Sequence, residues 1–138
     1  MHIPGHIIAY LLSYITLVKL ALAKEFGLNV FQLLALLLVG NKEGISIKQL
    51  KQDLSLPGSS LTFTLDSLEK KRLIKRQRSK EDRRQWRLFL SARGKRLHQE
   101  ILKAESEAIL PALENLSEKE TAAFLRIAEE FLKTGATR

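Results

Sequence analysis

Two consecutive helices with almost no polar surface open the chain, and they constrain its fold more than any other feature. Apolar residues at helical spacing predict a first helix from about Ile3 or His6 to Lys24 and a second from Val30 to Val39, capped by Asn29. A single chain of 138 residues is too small to bury the apolar surface of both helices. We therefore expect part of the first helix to pack against a second copy of the chain. Burial under a later helix of the same chain is the alternative.

The apolar run from Ile7 to Ala23 has the composition of a signal peptide or a membrane span. However, Lys19 interrupts the run, no basic segment precedes it, and Lys24 and Glu25 follow where a small-residue cleavage site would lie. The run is also shorter than the ~20 residues that a span needs. We therefore expect no membrane association. The chain has no cysteine, which excludes disulfides and thiolate metal sites and fits a cytoplasmic location.

The middle of the chain carries the spacing of a helix-turn-helix. Ser46 and Gln49 have capping-box spacing and predict a short third helix from Ile47 to Leu54. A tight turn is predicted over Ser55–Gly58, and Pro57 suits the first turn of a fourth helix. The buried stripe of that helix is predicted to be Leu61, Leu65 and Leu68. Two short helices joined by such a turn form a helix-turn-helix.

Two strands are predicted next, over Leu73–Arg78 and Gln85–Leu90, and the Ser79–Arg84 segment joins them as a hairpin. In the second strand, alternation predicts that Trp86, Leu88 and Leu90 point inward and that Arg87 points outward.

Long helices are predicted again after the hairpin. Ser91 caps a fifth helix from about Ala92 to Leu110, and Ser117 with Glu120 forms a capping box for a sixth helix from about Glu118 to Lys133. The predicted fold class is therefore mainly α with a small β-hairpin wing, in a single domain over residues 1–138.

Positive charge is concentrated beside the helix-turn-helix. The formal net charge is +8, and every ionisable side chain between Lys70 and Arg96 is basic except Glu81 and Asp82. Such a surface favours a polyanionic partner. The hairpin tip carries Lys80, Arg83 and Arg84, and we expect the Asp82 carboxylate to hold the guanidinium of Arg84 in a fixed geometry.

The solvent face of the fourth helix is predicted to be small, polar and free of acidic side chains. Helical geometry places on it Ser59, Ser60, Phe63, Ser67 and Lys70. Hydroxyl groups can bind base edges or phosphates, and an aromatic edge can contact a thymine methyl group, so this face suits the major groove of duplex DNA. The basic hairpin tip would then reach the neighbouring minor groove. Local packing of Phe63 beside solvated serines is the alternative.

The order of these segments resembles the MarR family of winged helix-turn-helix transcriptional regulators. The resemblance lies in Leu68–Arg76, Asp82-Arg83-Arg84, Leu90–Gly94 and Glu25–Leu28. It implies a homodimer with dimerisation helices at about 1–27 and 92–138 and a winged lobe at about 28–91. It also implies that the fourth helix enters the major groove of double-stranded DNA and that Arg84 enters the minor groove.

The same resemblance implies a repressor that releases DNA when a small aromatic ligand binds between the dimer helices and the winged lobe. Tyr10, Tyr14 and Trp86 are candidates for lining that pocket, with ordinary packing as the alternative role.

Three residues depart from the family pattern. Arg72 stands where the family usually has glycine, Ser91 replaces threonine, and Phe63 occupies a position that is often basic. Because a left-handed backbone is costly for arginine, we expect the end of the fourth helix to be less sharply turned than in the family. Phe63 indicates an altered or weakened base preference.

The sequence gives no sign of an enzyme. It contains no nucleophile–base grouping, no phosphate-binding glycine loop and no metal-ligand spacing, and the pair His2 and His6 is too few ligands for a metal. We expect no catalysis, cofactor or metal.

Two binding functions other than duplex DNA binding remain as alternatives. The basic wing could serve a protein partner or an anionic surface, or the chain could bind single-stranded nucleic acid, for which regularly spaced stacking aromatics are lacking.

Overall fold

The computed structural model describes residues 4–135 and confirms the predicted fold class. Over these residues the chain forms six helices and one antiparallel sheet of three strands in the order β1-β3-β2. The elements are α1 (Gly5–Glu25), α2 (Val30–Asn41), β1 (Ile45–Ser46), α3 (Ile47–Leu54), α4 (Gly58–Lys70), β2 (Ile74–Arg78), β3 (Trp86–Leu90), α5 (Ala92–Leu113) and α6 (Glu118–Gly135). The two-residue strand β1 is too short to leave a sequence pattern. His2 and the predicted helix start at Ile3 lie outside the described residues.

Contacts divide the chain into two compact units, one ending at Lys103 and the other beginning at Ala104. The first unit contains the elements from α1 to β3 and the start of α5, and so holds the whole winged helix-turn-helix. The second contains the rest of α5 and α6. The prediction of a single domain over residues 1–138 stays a prediction.

The predicted capping box opens α6. The Glu120 carboxylate accepts hydrogen bonds from the main-chain N–H of Ser117 at 2.8 Å and from its hydroxyl at 2.9 Å. These two bonds, the main-chain one first, lower the pKa of the Glu120 carboxyl below its ordinary value.

The core of the first unit is built around α2. Its Leu33, Leu36 and Val39 are completely buried, and α2 contacts α4. The predicted stripe of α4 is confirmed, because Leu61, Leu65 and Leu68 are all buried. Burial of each of these leucines contributes about 1.5–3 kcal/mol, so the orientation of α4 is fixed by the core.

The helix-turn-helix has the predicted boundaries. The Ser46 hydroxyl accepts a hydrogen bond from the N–H of Gln49 at 3.0 Å and caps α3. Ser55 ends α3 in the left-handed conformation, with φ of 52°, and the chain then passes through Pro57 into α4. This single left-handed residue turns the backbone between the two helices.

The C-terminal end of α4 contradicts one expectation. Arg72 adopts the left-handed conformation with φ of 57°, so the end of α4 is as sharply turned as a glycine would make it. The N–H of Arg72 donates to the carbonyl of Glu69 at 2.8 Å, and the N–H of Leu73 donates to that of Leu68 at 3.0 Å. This is a Schellman motif. The two hydrogen bonds and the burial of Leu68 and Leu73 outweigh the ~1–2 kcal/mol cost of the left-handed arginine.

Ser91 and Gly94 join α5 to the end of α4. The Ser91 hydroxyl donates to the carbonyl of Arg72 at 2.6 Å and accepts from the N–H of Gly94 at 2.9 Å, so serine caps α5 as predicted. A Cβ atom at position 94 would lie 1.9 Å from the carbonyl oxygen of Leu73. Glycine is therefore required by this close approach between α5 and the segment that follows α4.

α1 differs from α2 in its burial. Of its residues, only Leu22 and Ala23 are buried, and large apolar side chains lie exposed along the rest of the helix. The 21-residue helix is longer than the predicted apolar run, and by length and composition alone it could cross a membrane. The first unit therefore leaves most of an apolar helix without cover.

Candidate nucleic-acid interface

The outer face of α4 carries the predicted small side chains at its N-terminal end. Ser59 and Ser60 are exposed, Phe63 is 71% exposed, and Lys70 is exposed at the other end of the helix. The α4 residues Leu61, Thr64, Leu65 and Leu68 face the core instead. Ser59, Phe63 and Lys70 therefore share one solvent-facing stripe, and Ser60 lies at its edge.

Ser67 differs from the other predicted residues of this face. It is half-buried, and its hydroxyl accepts a hydrogen bond from Gln32 Nε2 at 2.6 Å. Gln32 is itself buried in α2, where its side-chain oxygen accepts from the N–H of Asn29 and closes the capping box of α2. One buried amide therefore caps α2 and ties α2 to α4. The sequence indicated only the Asn29 cap.

The prediction that this face is free of acid is wrong. Asp66 is exposed between Phe63 and Lys70 on the same face, and its carboxylate forms an ion pair with Arg76 of β2. Glu69 forms a second ion pair with Arg76. The helical position of Asp66 was available from the sequence. Because Arg76 is held by these two carboxylates, it adds little to the positive field beside α4.

The wing between β2 and β3 is organised by Ser79 and Asp82. Ser79 is buried, and its hydroxyl accepts hydrogen bonds from the N–H groups of Glu81 at 3.3 Å and Asp82 at 3.4 Å. The Asp82 carboxylate accepts from the main-chain N–H of Arg84 at 3.0 Å. Asp82 therefore contacts Arg84 as predicted, but it fixes the backbone rather than the guanidinium. Lys80, Arg83 and Arg84 are exposed around this turn.

A stacked pair braces the base of the wing. The guanidinium of Arg78 lies 4.1 Å from the ring centre of Trp86, its partner across the two strands. Arg78 Nη1 also donates to the carbonyl of Arg83 at 2.7 Å. Trp86 was predicted to point inward with Leu88 and Leu90, but it is 37% exposed because it lies at the end of β3 next to the turn, beyond the core. The equal spacing of Arg78 and Trp86 about Asp82 is the sequence signal for this pair.

The candidate pocket residues lie in different surroundings. Tyr10 and Tyr14 are exposed on α1, one turn apart. Trp86 is held by Arg78, and the open cavity beside it is lined by Glu69, Ile74, Lys75 and Arg76. The prediction that these three aromatic residues line one ligand pocket is not tested by this arrangement and stays a prediction.

In the part of the chain that the structure describes, titratable side chains do not converge into a metal site. Among the described residues, 4–135, no group of three or more His, Cys, Asp or Glu side chains could hold an ion. The first unit instead presents an exposed helix face and a basic, braced wing. A buried leucine stripe under the helix and a hairpin next to it define the class of winged helix-turn-helix proteins.

Comparison with known proteins finds similarity to one family. Residues 28–86, which contain the helix-turn-helix and most of the wing, match the model of the MarR family. Over this segment the chain is similar to members of the MarR family.

Two relatives illustrate the likeness. The transcriptional regulator SarZ of Staphylococcus epidermidis is 29% identical over 109 residues, which is 79% of this chain and 72% of SarZ. A MarR transcriptional regulator from Methanosarcina mazei has the same fold, with a TM-score of 0.76, 23% identity and coverage of 95% of this chain and 94% of the other.

A MarR-family transcriptional regulator from Listeria monocytogenes, solved in complex with 26mer DNA, also has the same fold. Its TM-score is 0.78 at 20% identity, and the match covers 99% of this chain and 91% of the other.

Proposed function

We propose that this chain binds duplex DNA sequence-specifically as a homodimer, with α4 in the major groove and the wing tip in the adjacent minor groove. The chain is a transcriptional regulator of the MarR family and not an enzyme. The observation that carries the binding mode is the pairing of an exposed, small-residue helix face with a basic wing in one compact unit. The Listeria protein, solved with 26mer DNA, supports DNA as the partner.

In this binding mode α4 and the wing contact different parts of the DNA. Ser59, Ser60 and Phe63 contact base edges or nearby phosphates from α4, and Lys70 contacts the backbone. Arg84 enters the minor groove, where its charge meets concentrated negative potential, while Lys80 and Arg83 neutralise phosphates. Ser67, engaged by Gln32, contributes by holding α4 in place.

In-vitro selection of duplex DNA followed by footprinting tests this proposal. We expect a pseudo-palindromic site whose half-sites are one helical turn, about 10 base pairs, apart. Replacing Lys80 and Arg84 together by Ala is expected to weaken binding and flatten its salt dependence, whereas Lys119→Ala, an exposed basic residue of α6, serves as the matched control. Selection that recovers no preferred duplex would favour the alternative of a protein or anionic-surface partner.

The homodimer accounts for the exposed apolar surface of the terminal helices. Tyr10, Leu12 and Leu17 of α1 are more than half exposed, and so are Leu125 and Phe131 of α6. Apolar surface of this extent is typical of protein interfaces. Light scattering is expected to give twice the mass of the chain, and Leu12→Asp with Leu17→Asp is expected to lower it. Recovery of the wild-type chain on floated lipid vesicles would instead assign α1 to a membrane.

We extend the proposal to a cytoplasmic repressor that a small aromatic ligand releases from DNA, on the basis of the resemblance to the MarR family. Tyr10, Tyr14 and Trp86 are the pocket candidates. A panel of aromatic acids is expected to include one that raises the melting temperature and weakens DNA binding, and Tyr14→Ala is expected to reduce both effects. No response to any member of the panel would contradict ligand control.

A further inference from the structure

An apolar cleft lies beside the N-terminal part of α4. Its lining includes two phenyl rings, Phe31 of α2 and Phe63 of α4, together with Leu56 and Pro57 of the helix-turn-helix turn. Phe31 is 45% exposed and Phe63 71% exposed. Asn29, Ser59, Ser60 and Thr64 complete the lining. Two large aromatic side chains are therefore exposed in one place, beside the small polar side chains of α4.

The lining limits what the cleft can bind. All of its described lining residues are uncharged, although the neighbouring wing is strongly basic. A phosphate group would lose hydration against the phenyl rings without gaining a cationic partner. The cleft is therefore suited to a small, neutral, apolar group, with hydroxyl groups at its side.

The cleft is continuous with the surface that reads DNA, because it shares Ser59, Ser60 and Phe63 with the outer face of α4. The edges of the base pairs in the major groove display donors, acceptors and a single kind of apolar group, the C5-methyl of thymine. We infer that the cleft receives one thymine methyl group in each half-site and that Phe31 and Phe63 contact it. This inference rests on the proposed DNA binding and assigns a specificity role to Phe31.

The two aromatic residues are held on fixed backbones. Phe31 precedes Gln32, whose side chain forms hydrogen bonds with the main chain of Asn29 and with the hydroxyl of Ser67 on α4. On α4, Phe63 is flanked by Thr64 and lies two residues after Leu61, and both of these neighbours are buried. The separation of the two backbones is therefore set by buried contacts, so the cleft exists before DNA binds.

A methyl-deletion scan tests the inference. Each thymine of the selected operator is replaced in turn, symmetrically in both half-sites, by deoxyuridine, which lacks only the methyl group. Binding is measured by fluorescence anisotropy. At one thymine position we expect a loss of about fourfold per half-site, the factor expected for burial of one methyl group. In Phe31→Ala and in Phe63→Ala the thymine and uracil duplexes are expected to bind equally well.

Two matched variants make the scan specific. Phe31→Leu keeps an apolar side chain in the cleft and is expected to retain preference for thymine. Thr62→Ala changes an exposed residue of α4 outside the cleft and is expected to leave the thymine-to-uracil ratio at its wild-type value.

The outcomes separate this inference from the proposed function. If the chain binds duplex DNA tightly and no uracil substitution changes the affinity, the inference that the cleft binds a thymine methyl group is wrong. The proposed DNA binding then still holds. A thymine preference that survives Phe31→Ala overturns the role of Phe31. Failure to bind any duplex overturns both the inference and the proposed function.

Discussion

α4 and the wing are adjacent, but they are held by different kinds of contact. α4 rests on the buried leucines Leu61, Leu65 and Leu68 and on the buried amide of Gln32. The wing depends on an exposed stack between Arg78 and Trp86 and on single hydrogen bonds, which typically contribute about 0.5–1.5 kcal/mol each. The position of α4 is therefore coupled to the stability of the whole unit. The contacts of the wing can be weakened without unfolding the rest of the unit.

The largest expected effect is on the buried side of α4. Leu65→Ala removes a buried side chain and is expected to lower the free energy of unfolding by about 2–5 kcal/mol, measured by urea denaturation. Thr62→Ala, at an exposed position of the same helix, is the control and is expected to change it by less than about 0.5 kcal/mol. Equal effects of the two variants would contradict the claim that the buried leucines hold α4 in place.

The link between α2 and α4 is expected to follow in size. Gln32→Ala leaves the N–H of Asn29 and the hydroxyl of Ser67 without their partner and is expected to cost about 1–3 kcal/mol of stability. Ser67→Ala is expected to cost less. Because both variants remove the same hydrogen bond, their costs should add to more than that of the double variant. Strict additivity would show that Gln32 and Ser67 act independently.

Arg72→Gly is expected to act in the opposite direction. Glycine adopts the left-handed backbone of position 72 without the penalty that arginine incurs, so stability is expected to rise by about 1 kcal/mol. Lys71→Gly provides the control, because Lys71 has right-handed backbone angles and no such penalty to relieve. A loss of stability in Arg72→Gly would show that the arginine side chain makes a compensating contact.

The smallest stability effect is expected in the wing. Trp86→Ala removes the stack on Arg78 and is expected to lower stability by only about 0.5–1 kcal/mol. DNA binding is expected to weaken by a further ~0.5–1.5 kcal/mol, because the tip must then be ordered on binding. Trp86→Tyr keeps an aromatic face and should restore both. Weakened stability with unchanged DNA affinity would show that the stack does not position the tip.

Local signals explain which parts of the molecule were predictable. Helix caps at Asn29, Ser46 and Ser91 and the leucine stripe of α4 depend on residues close in sequence, and all were predicted. The conformation of Arg72 was not. Family resemblance suggested that a non-glycine residue would relax this turn, but Leu73 and Ser91 hold it through contacts made only in the folded chain.

The candidate site was predicted less completely than the fold. Exposure of Ser59, Phe63 and the wing residues follows from helical and hairpin geometry. The hydrogen bond between Gln32 and Ser67 joins residues that are 35 positions apart, so no local sequence pattern predicts it. Asp66, by contrast, was visible in the sequence, and only its ion pair with Arg76 required the structure.

The central claim is that the outer face of α4 and the tip of the wing engage one DNA duplex together. Its most direct test is the salt dependence of operator binding by Arg84→Ala. We predict a loss of about 1–3 kcal/mol in binding free energy for each Arg84 removed, and a decrease of about one per subunit in the slope of log K against log salt concentration. Unchanged affinity and an unchanged slope would contradict the claim, because the wing tip would then lie away from the DNA.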